Sequence, residues 1–414
     1  MAARRQALRL AARALEQRLN ADTSDHAGPE LPCSRGEPAR YRGRHEKTFE
    51  SVLGPLRLER AYYHCPGCQA GFCPRDRALR LELYSLTPGI LRMTGSTAAL
   101  VSFEESSALL HELAGVEVSV SQVQRAAEAL GAEIAGDERV CVERMGEVAP
   151  TMYLGMDGTG VPMRPSEVAG RAGKQMDGSA KTREAKVVAV WSAESRDEEG
   201  RPMRDPDRSL IQPPLKAPPF LTPASNDPTS PSVCCGKPRG EASPRRPDTR
   251  CWAMVRSGSG IPLRNCFPRP FRSWIGFHVK ETLHRTAQSI FGAATEAKPW
   301  AEARCAELDD GKLRALIHEL RAHDSCTEAI KCAMYIFRNR ARMRYPKFHA
   351  LGLCTSTGVL EAGCKVAIGT RLKRSGMHWS VSGANAIIAL RCSKLSGRFE
   401  DFWERRSTSF RAAA

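Results

Sequence analysis

Asp157 stands in the string Met156-Asp157-Gly158-Thr159-Gly160, directly after an apolar stretch that begins at Thr151. A strand would hold such a carboxylate rigidly, and the glycines would let backbone, metal and phosphate come close. An Asp-Gly pair after a strand is by itself more often a turn, so its partners decide. Glu361 follows a glycine turn in STGVLEAGCK, bracketed by small residues and Lys365. Phosphoryl transfer on DNA needs two or three acidic side chains converging on Mg²⁺ or Mn²⁺, which activates the attacking oxygen and stabilises the leaving one. Asp157 and Glu361 are therefore candidate catalytic residues and metal ligands, the first and last of a set whose middle member is missing from the chain as written.

A second chemistry lies in Cys65-Pro-Gly-Cys68, a knuckle whose spacing suits one half of a tetrahedral Zn²⁺ site. Reduced, buried thiols are the alternative. Basic side chains cluster near both acids. Lys174, Lys181, Arg183 and Lys186 flank the segment after Asp157, and Lys365, Arg371, Lys373 and Arg374 follow Glu361, with His378 and Trp379 close behind. Charges this dense would contact phosphates rather than read bases; an ordinary solvated face is the competing explanation. Trp379 and Trp403 are expected to anchor a core.

The elements that must position these residues follow from pattern and composition. The chain has 414 residues, 42% of them hydrophobic, enough for two or three domains with cores. Sixty-two lysines and arginines against 46 acidic residues give a net charge of +16, which favours a polyanionic partner. Fifteen irregularly spaced cysteines argue against a disulfide framework and for a reducing cytosol. No apolar run suggests a membrane span, and the arginine-rich start reads as a basic amphipathic helix over 1–20. A polar linker leads to short apolar stretches in 31–80 that suggest a small ribbon carrying the knuckle. Residues 86–145 read as helical: SFEESSALLHELAG ends at Gly115, and a second helix restarts at Ser119 or Ser121. That pair is either a helix-turn-helix for a DNA major groove or a plain helical hairpin. Strands are expected over 150–208, and helices from His278 to Arg342.

Residues 209–276 break the pattern. They hold 13 of the 27 prolines, four cysteines and ten basic residues against three acidic ones, which reads as disordered or misfolded chain. Joining the last base of each codon to the first two of the next permits a globular sequence instead. Cys251 to Ile275 can be re-read as LGDGSVWIWNTAAELFPEAIQIVD, with amphipathic and turn signals restored. Trp252 before Ala253 forces the glycine of that string, Ala253 before Met254 permits its aspartate, and Trp274 before Ile275 forces an aspartate. Two compensating frameshifts, near Asp207 and near Gly276, are the reading. The missing middle carboxylate is then the aspartate of LGDG.

The strings MDGTGVPMRP, GRAGKQMDGSAKTREAK, RMRYPKF, EAGCKVAIGTRLKRSGMHWSVSGANAIIALR and GRFEDFWERR resemble the ISKra4-type transposases, a family similar to the wider set of DDE transposases of insertion sequences. The resemblance covers roughly 31–207 and 277–406. It implies a catalytic Asp157, a second aspartate in the shifted GDG string, and Glu361. It also implies an aspartate where this chain has Ile275, three residues before His278. For the cysteine unit it implies a zinc ribbon with a Cys-x-Cys half and a Cys-x-x-Cys half. Cys33-Ser34-Arg35 matches the first half with Arg35 in a ligand's place, leaving Cys33, Cys65 and Cys68 unless His45, His64, Cys73 or water completes the set.

The resulting expectation is an α/β chain: an RNase H-like core, a mixed sheet with flanking helices, preceded by the zinc-ribbon-like unit and the helical region. The core is split into 150–208 and 277–406, with the helical stretch 279–345 between its second and third acidic positions. The expected partner is double-stranded DNA at the terminal inverted repeats of an insertion sequence, bound by a homo-oligomer in the bacterial cytoplasm at the nucleoid. Without the middle carboxylate this copy is expected to be inactive. Two other readings stay open, a non-catalytic DNA-binding protein and a pseudogene product that does not fold.

Overall fold

The structure, a computed structural model of the chain, describes residues 2–81, 85–140, 151–173, 175–198, 200–205, 209–212, 250–255, 271–273, 276–292, 295–355 and 362–411. The chain forms two compact units, residues 1–136 with 382–414, and residues 137–381. It is of mixed α/β type.

The first unit opens with α1 (Ala2–Ala21) and an antiparallel sheet in the order β1 (Glu30–Pro32), β2 (Pro38–Ser51), β3 (Gly54–His64), β4 (Gly71–Phe72). Alternation in β3 buries Leu56 and Leu58 and exposes Arg57 and Glu59, so one face packs with Ala12 of α1, Phe49 and Leu81. β4 is too short to cover all of β3, and α1 meets part of the open edge. Glu16 accepts the amide of Arg57 at 2.8 Å, and Asn20 accepts that of Glu59 at 3.0 Å. The basic helix is thus docked on the ribbon, satisfying strand amides that would otherwise invite another chain.

A short helix α2 (Pro74–Ala78) leads to α3 (Pro88–Leu100) and α4 (Phe103–Leu109). Ser102 and Glu105 form a reciprocal capping box at the start of α4. The helix runs on as a π turn over Leu110–Ala114 and stops at Gly115, whose φ of 72° is the left-handed conformation that glycine tolerates best. The next helix, α5 (Val120–Val140), is preceded by Ser119, whose hydroxyl accepts the Gln122 amide at 3.3 Å while Gln122 Oε1 accepts the Ser119 amide at 3.0 Å. Val123, Ala126, Ala127, Leu130 and Ile134 form its buried stripe.

The second unit is built on a five-stranded sheet. Its members are β5 (Thr151–Pro162), β6 (Thr182–Trp191), β9 (Ser209–Gln212), β10 (Arg250–Val255) and β11 (Phe271–Ser273), in the order β11-β10-β5-β6-β9. β5, β6 and β9 are antiparallel; β10 lies parallel to β5, and β11 parallel to β10. A helical turn α6 (Pro165–Val168) and a small hairpin of β7 (Ser195–Arg196) and β8 (Pro202–Met203) decorate the connections. Helices α7 (Gly276–Phe291), α8 (Ala297–Asp309), α9 (Leu313–Ala322), α10 (Thr327–Asn339) and α11 (Tyr345–Ala350) follow. Their apolar faces and the sheet share one core, in which Tyr153, Ala189 and Trp191 meet Val279, Leu283, Leu316, Ile336 and Phe348. Tyr153 stacks on Trp191 and its hydroxyl accepts the amide of Cys354 at 3.1 Å.

Three of the sheet's strands come from 209–276, the stretch expected to be disordered or misfolded. That expectation is corrected for 209–212, 250–255 and 271–273. Backbone pairing needs no particular side chain, and β5 and β6 offer strand edges that these pieces complete. The other residues of that stretch, Gly276 aside, lie outside the described ones.

Two helices complete the first unit: α12 (Val381–Leu395), nearly all of it in that unit, and α13 (Phe399–Arg411). From Ala384 to Ser393 α12 is buried almost all round and mostly apolar, as befits a core helix, with the buried Arg391 donating to Ala99 O. Close approach marks its packing, since a Cβ on Gly131 of α5 would lie 2.1 Å from the carbonyl oxygen of Ala386. Among the described residues no helix is long and apolar enough to cross a membrane.

Candidate functional site

Asp157 lies within β5 rather than at its end, because pairing with β6 continues to Pro162. On the other side the described parallel pairing stops at Val255↔Met156, so Asp157 is the first residue of β5 past the register with β10. The residue is 8% exposed, and Oδ1 accepts the amide of Gly158 at 2.7 Å. Alternation puts Asp157 and Thr159 on one face and Gly158 and Gly160 on the other. The glycines make room for neighbouring side chains of the sheet. A Cβ on Gly158 would meet Glu184 Oε1 at 2.3 Å, and one on Gly160 would meet Thr182 Oγ1 at 2.9 Å, so both admit side chains of β6.

On the Asp157 face, Lys373 Nζ donates to Thr159 Oγ1. The helical turn over Lys365–Leu372 thereby brings a cation of the later segment to the carboxylate strand. Lys365, Lys373 and Arg374 are exposed, as is Lys181, while Arg183 and Lys186 are half-buried. Arg371 is different. It is fully buried, with its guanidinium 5.3 Å from the ring centre of Trp379 and Nη1 3.7 Å from Met377 Sδ. The guanidinium thus sits in the core beside an aromatic ring, unlike the exposed cations of the same segment. Trp379 is itself buried, its indole N–H donating to Leu372 O at 2.9 Å, and its backbone pairs with Pro162 and Arg164. Glu361 and Lys174 lie outside the described residues.

The cysteine unit gathers in the ribbon. Cys33 sits after β1, and its amide donates to Glu37 O at 2.8 Å across a tight turn closed at Gly36, φ 82°. Cys65 sits after β3, its amide donating to Ala70 O at 2.9 Å. Each turn directs an amide at a sulfur: Arg35 N to Cys33 Sγ at 3.4 Å, and Cys68 N to Cys65 Sγ at 3.5 Å. The Arg35 amide holds the Cys33 thiol below its ordinary range against the opposing effect of burial. The Cys68 amide favours the Cys65 thiolate as well, but burial and the neighbouring thiols outweigh it and push Cys65 up.

The sulfurs of Cys33, Cys65 and Cys68 all lie within 4.8 Å of one another. Cys33 Sγ and Cys68 Sγ are 3.8 Å apart. A tetrahedron with Zn–S bonds of about 2.3 Å has an S···S edge of about 3.8 Å, so the three thiols fit Zn²⁺. Among the described residues, His45, His64 and Cys73 do not join them. His45 stacks on Tyr62 opposite Arg60, His64 is not part of the cluster, and Cys73 lies beside Arg60 and Asp76, its thiol pushed up by burial. Glu37 touches Cys65 alone, its Oε2 accepting from Cys65 Sγ at 3.5 Å, and is not one of the grouped side chains. Nothing in its spacing singled Glu37 out, although the turn at Gly36 places it beside Cys33.

No protein-family model matches the chain, and no curated protein sequence does. Among solved structures the chain is similar to one described as the Drosophila P element transposase strand transfer complex, at 9% identity and a TM-score of 0.22. The superposition covers 76% of this chain and 80% of that one. A likeness at that level assigns neither fold nor activity.

Proposed function

We propose that the chain is a DDE-type transposase of the ISKra4 kind, built for metal-dependent cleavage and transfer of DNA strands at insertion-sequence ends, and that this copy lacks the carboxylate needed to complete the reaction. One observation carries the reading: the register of β10 against β5. Met254 pairs with Gly155, two residues before Asp157, so positions 254 and 157 fall on the same face of adjacent parallel strands. Their Cα atoms are then roughly 8 Å apart, from a strand spacing of about 4.8 Å and a rise of about 3.3 Å per residue. The aspartate of the shifted frame straddles the codons of Ala253 and Met254. An acid there would join Asp157 from the neighbouring strand, and β10 instead carries Cys251, Trp252, Ala253 and Met254.

The antiparallel run β5-β6-β9, extended beside β5 by the parallel β10 and β11, supports an RNase H-like core. In such a core Asp157 and Glu361 would hold Mg²⁺ or Mn²⁺, and the bound ion would supply activation of the attacking oxygen and neutralise the leaving one. Lys373 adds positive charge beside that face, and Lys181, Lys365 and Arg374 offer phosphate contacts from exposed positions. Three thiolates would hold Zn²⁺ and tie the two turns of the ribbon together. The α4–α5 pair is the candidate for groove contact, and an oligomer on paired ends in the bacterial cytoplasm is the expected working form.

A non-catalytic DNA-binding role is favoured by a separate observation: residues 1–136 and 382–414 form a compact unit without the sheet that carries Asp157. Gel shifts with terminal inverted repeats, run beside strand-cleavage assays in Mg²⁺ and Mn²⁺, test both readings. Specific binding without cleavage is the expected result. No binding would refute a DNA role, and cleavage lost on Asp157→Ala would refute the inactivity of this copy.

A further inference from the structure

Cys33 and Cys68 belong to different turns of the ribbon, 35 positions apart, and Cys68 Sγ donates to Cys33 Sγ at 3.8 Å. A disulfide bond is about 2.05 Å long, so the two sulfurs need to close by less than about 2 Å to bond. We infer that this pair is an oxidation site: a peroxide links Cys33 to Cys68 through a reversible disulfide and leaves Cys65 reduced. The inference adds regulation to the zinc reading above, and the pairing of the sulfurs is testable apart from the metal.

Three observations select the pair. Cys65 Sγ is committed elsewhere, accepting the Cys68 amide at 3.5 Å and directing its own hydrogen to Glu37 Oε2 at 3.5 Å. Second, Cys68 is half-buried in a turn whose Pro66, Gly67 and Gln69 are exposed, while Cys33 and Cys65 are buried. A small oxidant therefore reaches Cys68 first, and Cys33 is the sulfur that Cys68 already touches. Third, the cluster has an open corner. Its grouped side chains are three thiols, and Arg35, two residues after Cys33, gives the Cys33 sulfur its amide at 3.4 Å but has no lone pair for a metal. A zinc ion bound by these three thiolates keeps a position for solvent, where four thiolates would close the site.

The chemistry is that of two thiols and one peroxide. The Cys68 sulfur attacks a peroxide oxygen, the O–O bond breaks, and a sulfenic acid and one water form. The Cys33 sulfur then attacks the sulfenic sulfur. An S–S bond forms, the S–O bond breaks, and the departing oxygen takes the thiol proton to leave as a second water. Both thiols are oxidised and the peroxide is reduced, and an added thiol reverses the linkage by exchange. Zinc loses two of its three ligands in the process and is released, while the disulfide ties together the same two turns that the metal would hold.

The test treats the reduced full-length chain with hydrogen peroxide, alkylates the remaining thiols, and maps the cysteines by peptide mass spectrometry, with released zinc read by a chromogenic chelator. The expected product is a peptide cross-linked through Cys33 and Cys68, absent after dithiothreitol, with Cys65 alkylated and zinc released in step with the cross-link. Cys65→Ser should keep the cross-link and Cys33→Ser should lose it. A cross-link formed in a chain that never bound zinc overturns the zinc reading and upholds this inference. Zinc bound, with Cys68 paired to Cys65 or driven to a sulfinic acid without a cross-link, overturns this inference and leaves the zinc reading standing. Neither zinc nor a Cys33–Cys68 cross-link overturns both.

Discussion

Lys373 Nζ donates to the hydroxyl of Thr159, two residues beyond Asp157 on the same face of β5. That hydrogen bond brings the basic segment after Glu361 to the strand that carries the first acid, although 214 positions separate the two residues. It also gives the positive charge of that segment an address.

Lys373→Ala should weaken DNA binding about equally for specific and unrelated sequences and lower the slope of log affinity against log salt by about one, because one phosphate contact is lost. Arg371→Ala should instead lower thermal stability, since it removes a buried guanidinium packed on Trp379. Salt-titrated binding and a melting curve on each variant separate the two roles. A salt slope unchanged in Lys373→Ala would remove that residue from the DNA path.

Met254→Asp tests the register argument without touching the rest of the chain. Isothermal titration with Mn²⁺ should show affinity gained by on the order of tenfold over wild type, and the gain should disappear in Asp157→Ala/Met254→Asp. A gain that survives loss of Asp157 would mean the two positions do not share a metal.

Gly131 and Gly158 differ in what a methyl group would strike. Gly131→Ala pushes against the backbone of Ala386 and should cost about 1–3 kcal/mol or more. Gly158→Ala meets the end of the exposed Glu184 side chain, which can swing away, and should cost less. Equal losses in thermal melts would contradict this ordering.

Asp205 gathers the turn after β6. It accepts the Ser192 hydroxyl at 2.5 Å, the Ser195 hydroxyl at 2.6 Å and the amides of Glu194 and Ser195 at 3.1 Å. Burial works against its charge, but these hydrogen bonds outweigh it and hold the carboxyl well below the usual carboxylate range. A depressed folded-state pKa stabilises the fold fully above the unfolded value of about 3.9 and is lost as pH falls through the folded value. Asp205→Asn should therefore be less stable than wild type at neutral pH, with the difference shrinking below about pH 4. A difference constant from pH 7 to pH 2 would show that charge plays no part.

Several features of the fold can be read from the chain itself. Gly115 and Ser119 mark the break between α4 and α5 because helix ends need a left-handed residue and a side-chain cap. The spacing of Cys65 and Cys68 announces a knuckle, and the apolar run before Asp157 announces a strand. Other features depend on partners that the residue pattern does not announce. Arg371 looks like surface charge until Trp379 is seen beside it. The composition of 209–276 pointed to disorder, yet short pieces of it complete the sheet, because an open strand edge recruits backbone whatever side chains it carries.

The most direct measurement is strand cleavage of terminal inverted-repeat DNA in Mg²⁺ and Mn²⁺ by two full-length proteins: the chain as it stands, and one translated in the shifted frame between Asp207 and Gly276. The account predicts no cleavage by the first, cleavage by the second, and loss of that cleavage when Asp157→Ala is introduced. Cleavage by the present chain at the same rate as the frame-shifted one, or a frame-shifted chain that folds and binds these ends yet never cuts them, would contradict it.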